Sequence, residues 1–402
     1  MSREQLLSRL LEFIDSGAEA GHLTREAVMV DAGDWYREAI VTFGSWDQYL
    51  AATLVHLRRF YETQERRESD SSTAELIDDE RPERTHGSAA NNDAYVVAAS
   101  GYAFVLQAPL LHAAETPSLN RFPAGPHGEH IPESIVIADD DPGVCVFTSG
   151  GNGLAVDARL LPRYEPDAIV RPLNARFSGL SSTETVISVL PRRALRDLAR
   201  FYFITVQGQL KASDTSEYRK MSSEATLSTL VRDDDALLCV VAGANDAMLS
   251  VWSSLGKALV FDAAEVRSQG RKATGVKAIA LDPGARAVSA FVSAGRSAFV
   301  VLATAQGLFK RMRMSDFRPQ GRAGNGLQTC RLNPGDEVVC VASIALADDV
   351  VVVTSKGRYA RFPVYDIPLM NRAAKGDNLI PLGDAETIVS VQGFPAGVIA
   401  ES

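Results

Sequence analysis

From residue 93 onward the chain alternates short runs of Val, Ile, Leu, Phe and Ala with Gly, Asp and Pro, the pattern of buried strands separated by tight turns. A glycine interrupts an apolar strand pair at Gly101 (YVVAASGYAFVL), Gly153 (VCVFTSGGNGLAV), Gly208 (FYFITVQGQLK), Gly256 (LSVWSSLGKALV), Gly307 (FVVLATAQGLFKR) and Gly357 (VVVVTSKGRYARF). The steps between them are 52, 55, 48, 51 and 50 residues, a period that marks a repeat architecture. Each unit continues alike, with a strand, a turn, a second strand, an irregular basic or Gly-containing loop, and two further strands such as VKAIAL and AVSAFV. Four strands per unit, repeated six times, predict an all-β, six-bladed propeller-like ring over residues 93–398. The glycines have a local reason, because a tight hairpin needs a positive φ that only Gly or Asn adopts cheaply.

Residues 1–62 follow a different period. Apolar residues recur at spacings of three and four through Leu6, Leu10, Phe13 and Ile14, then Trp35, Ala39 and Ile40, then Trp46, Leu50, Leu54, Leu57 and Tyr61. Capping-box pairs Ser2/Gln5 and Ser45/Gln48, with breaks at Gly17, Gly21, Gly33 and Gly44, predict a small α-helical N-terminal domain of three or four short helices. Residues 63–92 hold almost nothing to bury and read as an acidic, flexible linker.

The 402 residues carry 41 Lys plus Arg against 50 Asp plus Glu, a formal charge of −9, which alone argues against a nucleic-acid coat protein. Distribution changes that picture. The first three units (93–247) hold 13 basic and 19 acidic residues, whereas the last three (248–393) hold 18 and 12, so one half-ring is at −6 and the other at +6. In the positive half the cations recur at one place in each unit: Lys257 and Arg267 with Arg271 and Lys272; Lys310, Arg311, Arg313 and Arg318 with Arg322; Lys356, Arg358 and Arg361 with Arg372 and Lys375. Strand parity puts Arg311 and Arg313 on one surface. Local concentration of this kind suits phosphate binding, since each neutralised phosphate releases a counterion.

Residues 351–391 (VVVVTSKGRYARFPVYDIPLMNRAAKGDNLIPLGDAETIVSV), together with the loops SQGRKATGVKAIAL (268–281) and PQGRAGNGLQTCRL (319–332), resemble the C-terminal domain of bacterial DNA gyrase A and its topoisomerase IV counterpart, a six-bladed β-pinwheel. The resemblance implies duplex DNA bound around the outer rim, with bending or wrapping. In gyrase, wrapping depends on the box Gln-Arg-Arg-Gly-Gly-Lys-Gly. Gln320, Gly321, Arg322, Ala323, Gly324, Asn325 and Gly326 keep its Gln, one Arg and two Gly but lose two basic residues, and Gln269 to Gly275 make a second partial copy. The large catalytic region of DNA gyrase A has no counterpart here, so DNA cleavage does not carry over. Separately, YREAIVTFGSWDQYLAA (36–52) resembles the helical repeat associated with HNH homing endonucleases, which implies a helix-turn-helix-like module, although residues 1–62 hold 6 Arg and no Lys against 10 acids and suit a protein partner equally.

Other chemistry is sparse. His127, Glu129, His130 and Glu133 lack the helical spacing of a zinc site, Asp139–Asp141 and Asp233–Asp235 read as hydrated turns, and Cys145, Cys239, Cys330 and Cys340 read as reduced core residues. No enzyme and no cofactor is expected. No apolar run reaches the ~18 residues of a membrane helix, so the expected address is the cytoplasm and nucleoid. The leading expectation is a non-catalytic DNA-binding or DNA-bending accessory protein, acting alone or on DNA gyrase, another topoisomerase or a chromosome-organising protein. Two alternatives stand beside it: an interaction scaffold whose ring has lost DNA wrapping, and a DNA-mimic inhibitor acting through its acidic N-terminal region.

Overall fold

The computed structural model describes residues 93–98, 103–107, 119–121, 132–137, 143–161, 178–181, 183–293, 299–344 and 348–394. The chain divides into two units, Met1–Arg81 and Pro82–Ser402. The helical domain expected over 1–62, the linker over 63–92, the His127/His130 cluster and the Gly101 hairpin lie outside the described residues.

The strands run in chain order. The first group is β1 (Asp93–Ala98), β2 (Ala103–Gln107), β3 (Asn120–Arg121) and β4 (Pro132–Ile137). The second is β5 (Gly143–Thr148), β6 (Asn152–Asp157) and β7 (Val186–Pro191), and the third β8 (Arg200–Thr205), β9 (Gln209–Asp214), β10 (Thr226–Leu227) and β11 (Leu237–Gly243). The fourth is β12 (Met248–Ser253), β13 (Lys257–Asp262), β14 (Val276–Lys277) and β15 (Ala287–Ser293). The fifth is β16 (Phe299–Thr304), β17 (Leu308–Arg313), β18 (Leu327–Gln328) and β19 (Val338–Ile344), and the sixth β20 (Asp349–Thr354), β21 (Arg358–Pro363), β22 (Asp377–Asn378) and β23 (Ile388–Phe394).

These strands make a propeller-like fold of five four-stranded blades, ordered β10-β6-β5-β7, β11-β8-β9-β14, β15-β12-β13-β18, β19-β16-β17-β22 and β23-β20-β21-β3, beside a three-stranded sheet β2-β1-β4. All pairings between named strands are antiparallel. One sequence expectation needs correction: the four strands of a repeat do not share a sheet. Each two-residue strand leaves its own repeat and pairs with the second strand of the preceding blade, as Val276 with Leu210, Leu327 with Ala258 and Asp377 with Phe309. β3 does the same across the whole chain, pairing Arg121 with Arg358 and Asn120 with Tyr359 of the last blade. Its backbone bonds satisfy the outer edge of β21, which would otherwise be open.

Hairpin chemistry repeats with the blades. The amide of a left-handed glycine donates to the carbonyl of a Thr or Ser three residues earlier, at Gly208 to Thr205 (2.9 Å), Gly256 to Ser253 (2.9 Å), Gly307 to Thr304 (3.0 Å) and Gly357 to Thr354 (3.0 Å). The hydroxyl of the same Thr or Ser then accepts the next strand's first amide, as Gln209 onto Thr205 (3.1 Å) and Leu308 onto Thr304 (3.1 Å). In the second repeat the left-handed turn residue is Gly151, whereas Gly153 lies inside β6.

The core lies between successive sheets. β5 and β20 are buried along their whole length, which explains their unbroken apolar runs: both faces pack on neighbours. Phe147, Phe201 and Tyr218 meet edge to face at 5.5 and 5.3 Å between the second and third groups, and Trp252 packs on Phe317 at 5.1 Å between the fourth and fifth. Strands β7, β11, β15, β19 and β23 line a central cavity of about 700 Å³ that includes the free thiols of Cys239 and Cys340. The outer ends of the blades are left to the exchanged strands and the loops that precede them.

Candidate nucleic-acid interface

In each of the last three repeats a short 3-10 turn (Ala263–Glu265, Met314–Asp316, Val364–Asp366) follows the second strand, and a loop then crosses to the preceding blade. The loops are anchored by backbone bonds to that blade: Gln269 N to Ala212 O (2.8 Å), Gln320 N to Val260 O (2.8 Å) and Met370 N to Arg311 O (2.9 Å). Each ends on a left-handed glycine, Gly275, Gly326 or Gly376, just before the exchanged strand. A Cβ on Gly275 would stand 2.4 Å from Leu210 O, one on Gly326 2.7 Å from Ala258 O and one on Gly376 3.0 Å from Phe309 O. These glycines therefore serve strand exchange. Gly270 and Gly321, at the loop surface, face open space.

The loops bring cations to the outer rim, with Arg267 and Arg318 at one matching position and Arg271, Arg322 and Arg372 at another. Arg267 and Arg318 are exposed, as are Lys272 and Lys375. Arg271, Arg322 and Arg372 occupy equivalent, half-buried positions. Arg271 lies over the Tyr218 ring at 5.1 Å and its Nη2 donates to Thr226 Oγ1 at 3.1 Å, while Arg322 donates from Nη1 to Lys277 O at 2.6 Å and its backbone amide to Glu265 Oε2 at 2.9 Å. The Nε atoms of Arg271 and Arg322 have no acceptor, and in the same two loops Gln269 Oε1 and Gln320 Nε2 are buried without partners. Both copies of the Gln-Gly-Arg motif thus leave polar groups unsatisfied at the same place.

The remaining basic residues divide by burial. Arg313 is half-buried at the end of β17 and Lys356 is exposed, its ammonium donating to Asp384 O at 2.6 Å. Lys257 pairs with Asp282 at 2.8 Å, and Arg358 with Glu386 through Nε to Oε1 at 2.8 Å. The expectation that Lys310, Arg311 and Arg361 present their tips to DNA is corrected, for all three are buried. Arg311 lies between the rings of Phe299 and Tyr365 (4.9 and 5.3 Å) and donates to Ile367 O at 3.2 Å. Arg361 pairs with buried Asp349 at 2.9 Å beneath the Phe394 ring. The Lys310 ammonium is enclosed by carbonyls, and burial, helped by Arg372, pulls its pKa down to about 8. Strand parity alone misplaced Arg311, because the loop of the next repeat covers that face of β17.

Other exposed cations were not singled out from the sequence. Lys277 and Arg331 are exposed, and Arg331 Nε donates to Ala373 O of the last loop at 3.4 Å. Arg192, Arg196 and Arg219 surround a concavity of about 400 Å³ beside the one-turn helix α1 (Ala194–Asp197), with Arg193 and Lys220 exposed next to it. The runs PRRALRDLAR and EYRK carried that signal, which averaging over an acidic half-ring concealed.

Comparison with known proteins agrees with this architecture. The family described as DNA gyrase C-terminal domain, beta-propeller, matches residues 252–294, 298–344 and 348–392. DNA gyrase A of Staphylococcus aureus (strain NCTC 8325 / PS 47) is 30% identical over 215 residues, 53% of this chain and 24% of the relative, and the same protein of strain MRSA252 matches to the same extent. The chain thus matches about a quarter of the length of these relatives. The structure of a DNA gyrase A C-terminal domain superposes with a TM-score of 0.66 at 15% identity, covering 75% of this chain and 99% of that one. The C-terminal domain of DNA topoisomerase IV superposes at 0.61 and 20% identity, covering 76% and 93%.

Proposed function

We propose that this chain, which carries a β-pinwheel domain of the DNA gyrase A C-terminal type, is a non-catalytic accessory protein that binds and bends duplex DNA along the rim of its ring. The three-stranded sheet β2-β1-β4 is the first of six blades, and exchange of β3 into the last blade joins the two ends. One observation supports the reading: the rim loops of three consecutive repeats carry Arg271, Arg322 and Arg372 at the same position, with Arg267, Lys272, Arg318 and Lys375 exposed beside them. Recurrence at the blade spacing suits a ligand that is itself a line of evenly spaced charges. Backbone and shape are what such a surface reads, since phosphate contacts position a duplex without specifying bases. Arg192, Arg196 and Arg219 offer a further contact on the other half-ring.

The N-terminal residues 1–62 and the acidic linker 63–92 are assigned to recruitment, with gyrase, another topoisomerase or a chromosome-organising protein as the partner and the cytoplasmic nucleoid as the place. Among the described residues no helix is long and apolar enough to cross a membrane. A scaffold that has given up DNA is the second reading, supported by cations already engaged by acids within the ring, Lys257 by Asp282 and Arg358 by Glu386. Replacing Arg267, Lys272, Arg318 and Lys375 by Ala in the full chain separates the two. DNA binding predicts weaker affinity for every duplex sequence and a shallower salt dependence, by up to about 0.9 in slope per lost phosphate contact. Unchanged affinity removes the rim from the interface.

A further inference from the structure

Two lysines lie inside the ring where a fold of this kind has no evident use for charge. Lys211 is 1% and Lys310 0% exposed, and each is the third residue of its blade's second strand, next to the residue that pairs with the exchanged strand. Both ammonium groups point at the loop that the next repeat lays across them. Lys310 Nζ lies within hydrogen-bond distance of four carbonyl oxygens that share its three N–H groups, Arg372 O at 2.8 Å, Ala374 O at 2.9 Å, Asn371 O at 3.3 Å and Thr329 O. Lys211 Nζ donates to Ser228 O at 2.7 Å, with Gly270 O at 3.4 Å and Arg271 O at 3.5 Å, and lies 4.7 Å from the centre of the Phe203 ring.

We propose that Lys211 and Lys310 are positioning residues for DNA contact, each holding with its ammonium the rim loop that carries Arg271 and Lys272 or Arg372 and Lys375. The inference rests on the DNA-binding reading above and adds to it which residues shape the surface. Carbonyl oxygens that converge repel one another and, turned outward, would repel phosphate. A cation beneath the loop gathers them inward and leaves the cationic side chains outside.

The fold contains its own control. In β13 the same position is Leu259, and the loop above it is built differently: Gly324 packs against Leu259 with room for a Cβ at only 3.4 Å from Cδ1, and its carbonyl accepts from Ala280 N at 2.9 Å. There the loop is tied instead by Arg322, through Lys277 O and Glu265. Where the third strand residue is Lys the loop turns its carbonyls onto it; where it is Leu the loop turns them elsewhere.

The assignment makes DNA binding sensitive to pH. Burial pulls both ammonium groups down to about 8, with Arg271 adding to the effect on Lys211 and Arg372 to that on Lys310. Glu217 faces Lys211, and Asp316 and Cys330 face Lys310, all opposing the shift. Tyr218 shares Ser228 O with Lys211 and is pushed up to about 12 by burial, and burial also pushes the Cys330 thiol up.

The test uses the full chain with Lys211→Met plus Lys310→Met, and separately Lys310→Arg, which keeps a cation at all relevant pH values. Duplex affinity over a salt series and backbone hydrogen exchange are measured at pH 7 and pH 9, with exchange corrected for its intrinsic pH dependence. In the parent, raising the pH makes the log–log salt slope shallower by about 2, one phosphate contact per loop, and loosens 269–275 and 371–376 but not 320–326. The double Met variant shows the shallow slope at both pH values, and Lys310→Arg keeps 371–376 protected at pH 9. Parallel pH profiles in parent and double variant, with duplex bound by both, overturn the lysine assignment alone. A parent that binds no duplex at pH 7 overturns the DNA-binding reading itself, whatever the loops do.

Discussion

Arg358 and Glu386 meet side by side, Nε donating to Oε1 at 2.8 Å and Nη2 to Oε2, and the carboxylate also accepts from Thr354 Oγ1 at 2.5 Å and Gly383 N at 2.9 Å. A cation that the sequence offers to DNA thus first serves the hairpin of the last blade. The pairing with Arg358, then Thr354 and Gly383, holds the Glu386 carboxyl down at about 2. A carboxylate depressed in the fold contributes stability that is present above its unfolded value of 4.5 and lost as the pH falls toward 2. Glu386→Gln is therefore expected to lower the urea midpoint at pH 7 and to flatten its fall between pH 4.5 and 2, compared with the parent.

The buried pair of Arg361 and Asp349 sets a different expectation. Both side chains are enclosed, at 3% and 2% exposure, so removing one takes the counterion from a buried charge. Arg361→Met is expected to cost about 3–5 kcal/mol in chemical denaturation, and Arg361→Met with Asp349→Leu to recover most of it. Duplex affinity per folded molecule stays at the parent level in both variants, because neither group reaches the rim.

Glycines of the rim loops separate into two kinds. Gly275→Ala or Gly326→Ala combines a left-handed φ (+85° or +71°) with a Cβ inside contact distance of a neighbouring carbonyl, and is expected to cost about 1–3 kcal/mol. Gly270→Ala and Gly321→Ala meet no atom within 4 Å and leave the melting temperature unchanged.

Stability and DNA binding should part company in alkali. Lys211 and Lys310 titrate near 8 in the fold and near 10.5 when unfolded, so between those values the unfolded chain holds more protons. Stability then rises with pH from these two groups, while the rim loops loosen. The Lys211→Met plus Lys310→Met variant is expected to lose that rise in urea midpoint between pH 8 and 10.

The repeat was legible because the last four repeats use the same turn: Gly208, Gly256, Gly307 and Gly357 are left-handed as the spacing required, whereas in the second repeat that residue is Gly151 and not Gly153. Strand exchange was not legible, because VKAIAL contributes only Val276 and Lys277 to a strand and nothing local records which edge they join. Arg267, Lys272, Arg318 and Lys375 reach the surface as their loop positions suggested. Lys310, Arg311 and Arg361 do not, since their burial is imposed by a loop about sixty residues away for Lys310 and by Asp349 and Phe394 for Arg361.

Binding of the phosphate backbone by the rim is tested most directly by the affinity of the full chain for a duplex of about 140 bp between 50 and 200 mM salt, near pH 7. A rim that engages six or more phosphates gives an affinity falling by about 10³-fold or more over that range, equal for unrelated sequences. Absence of binding at 50 mM, or binding indifferent to salt, would contradict it.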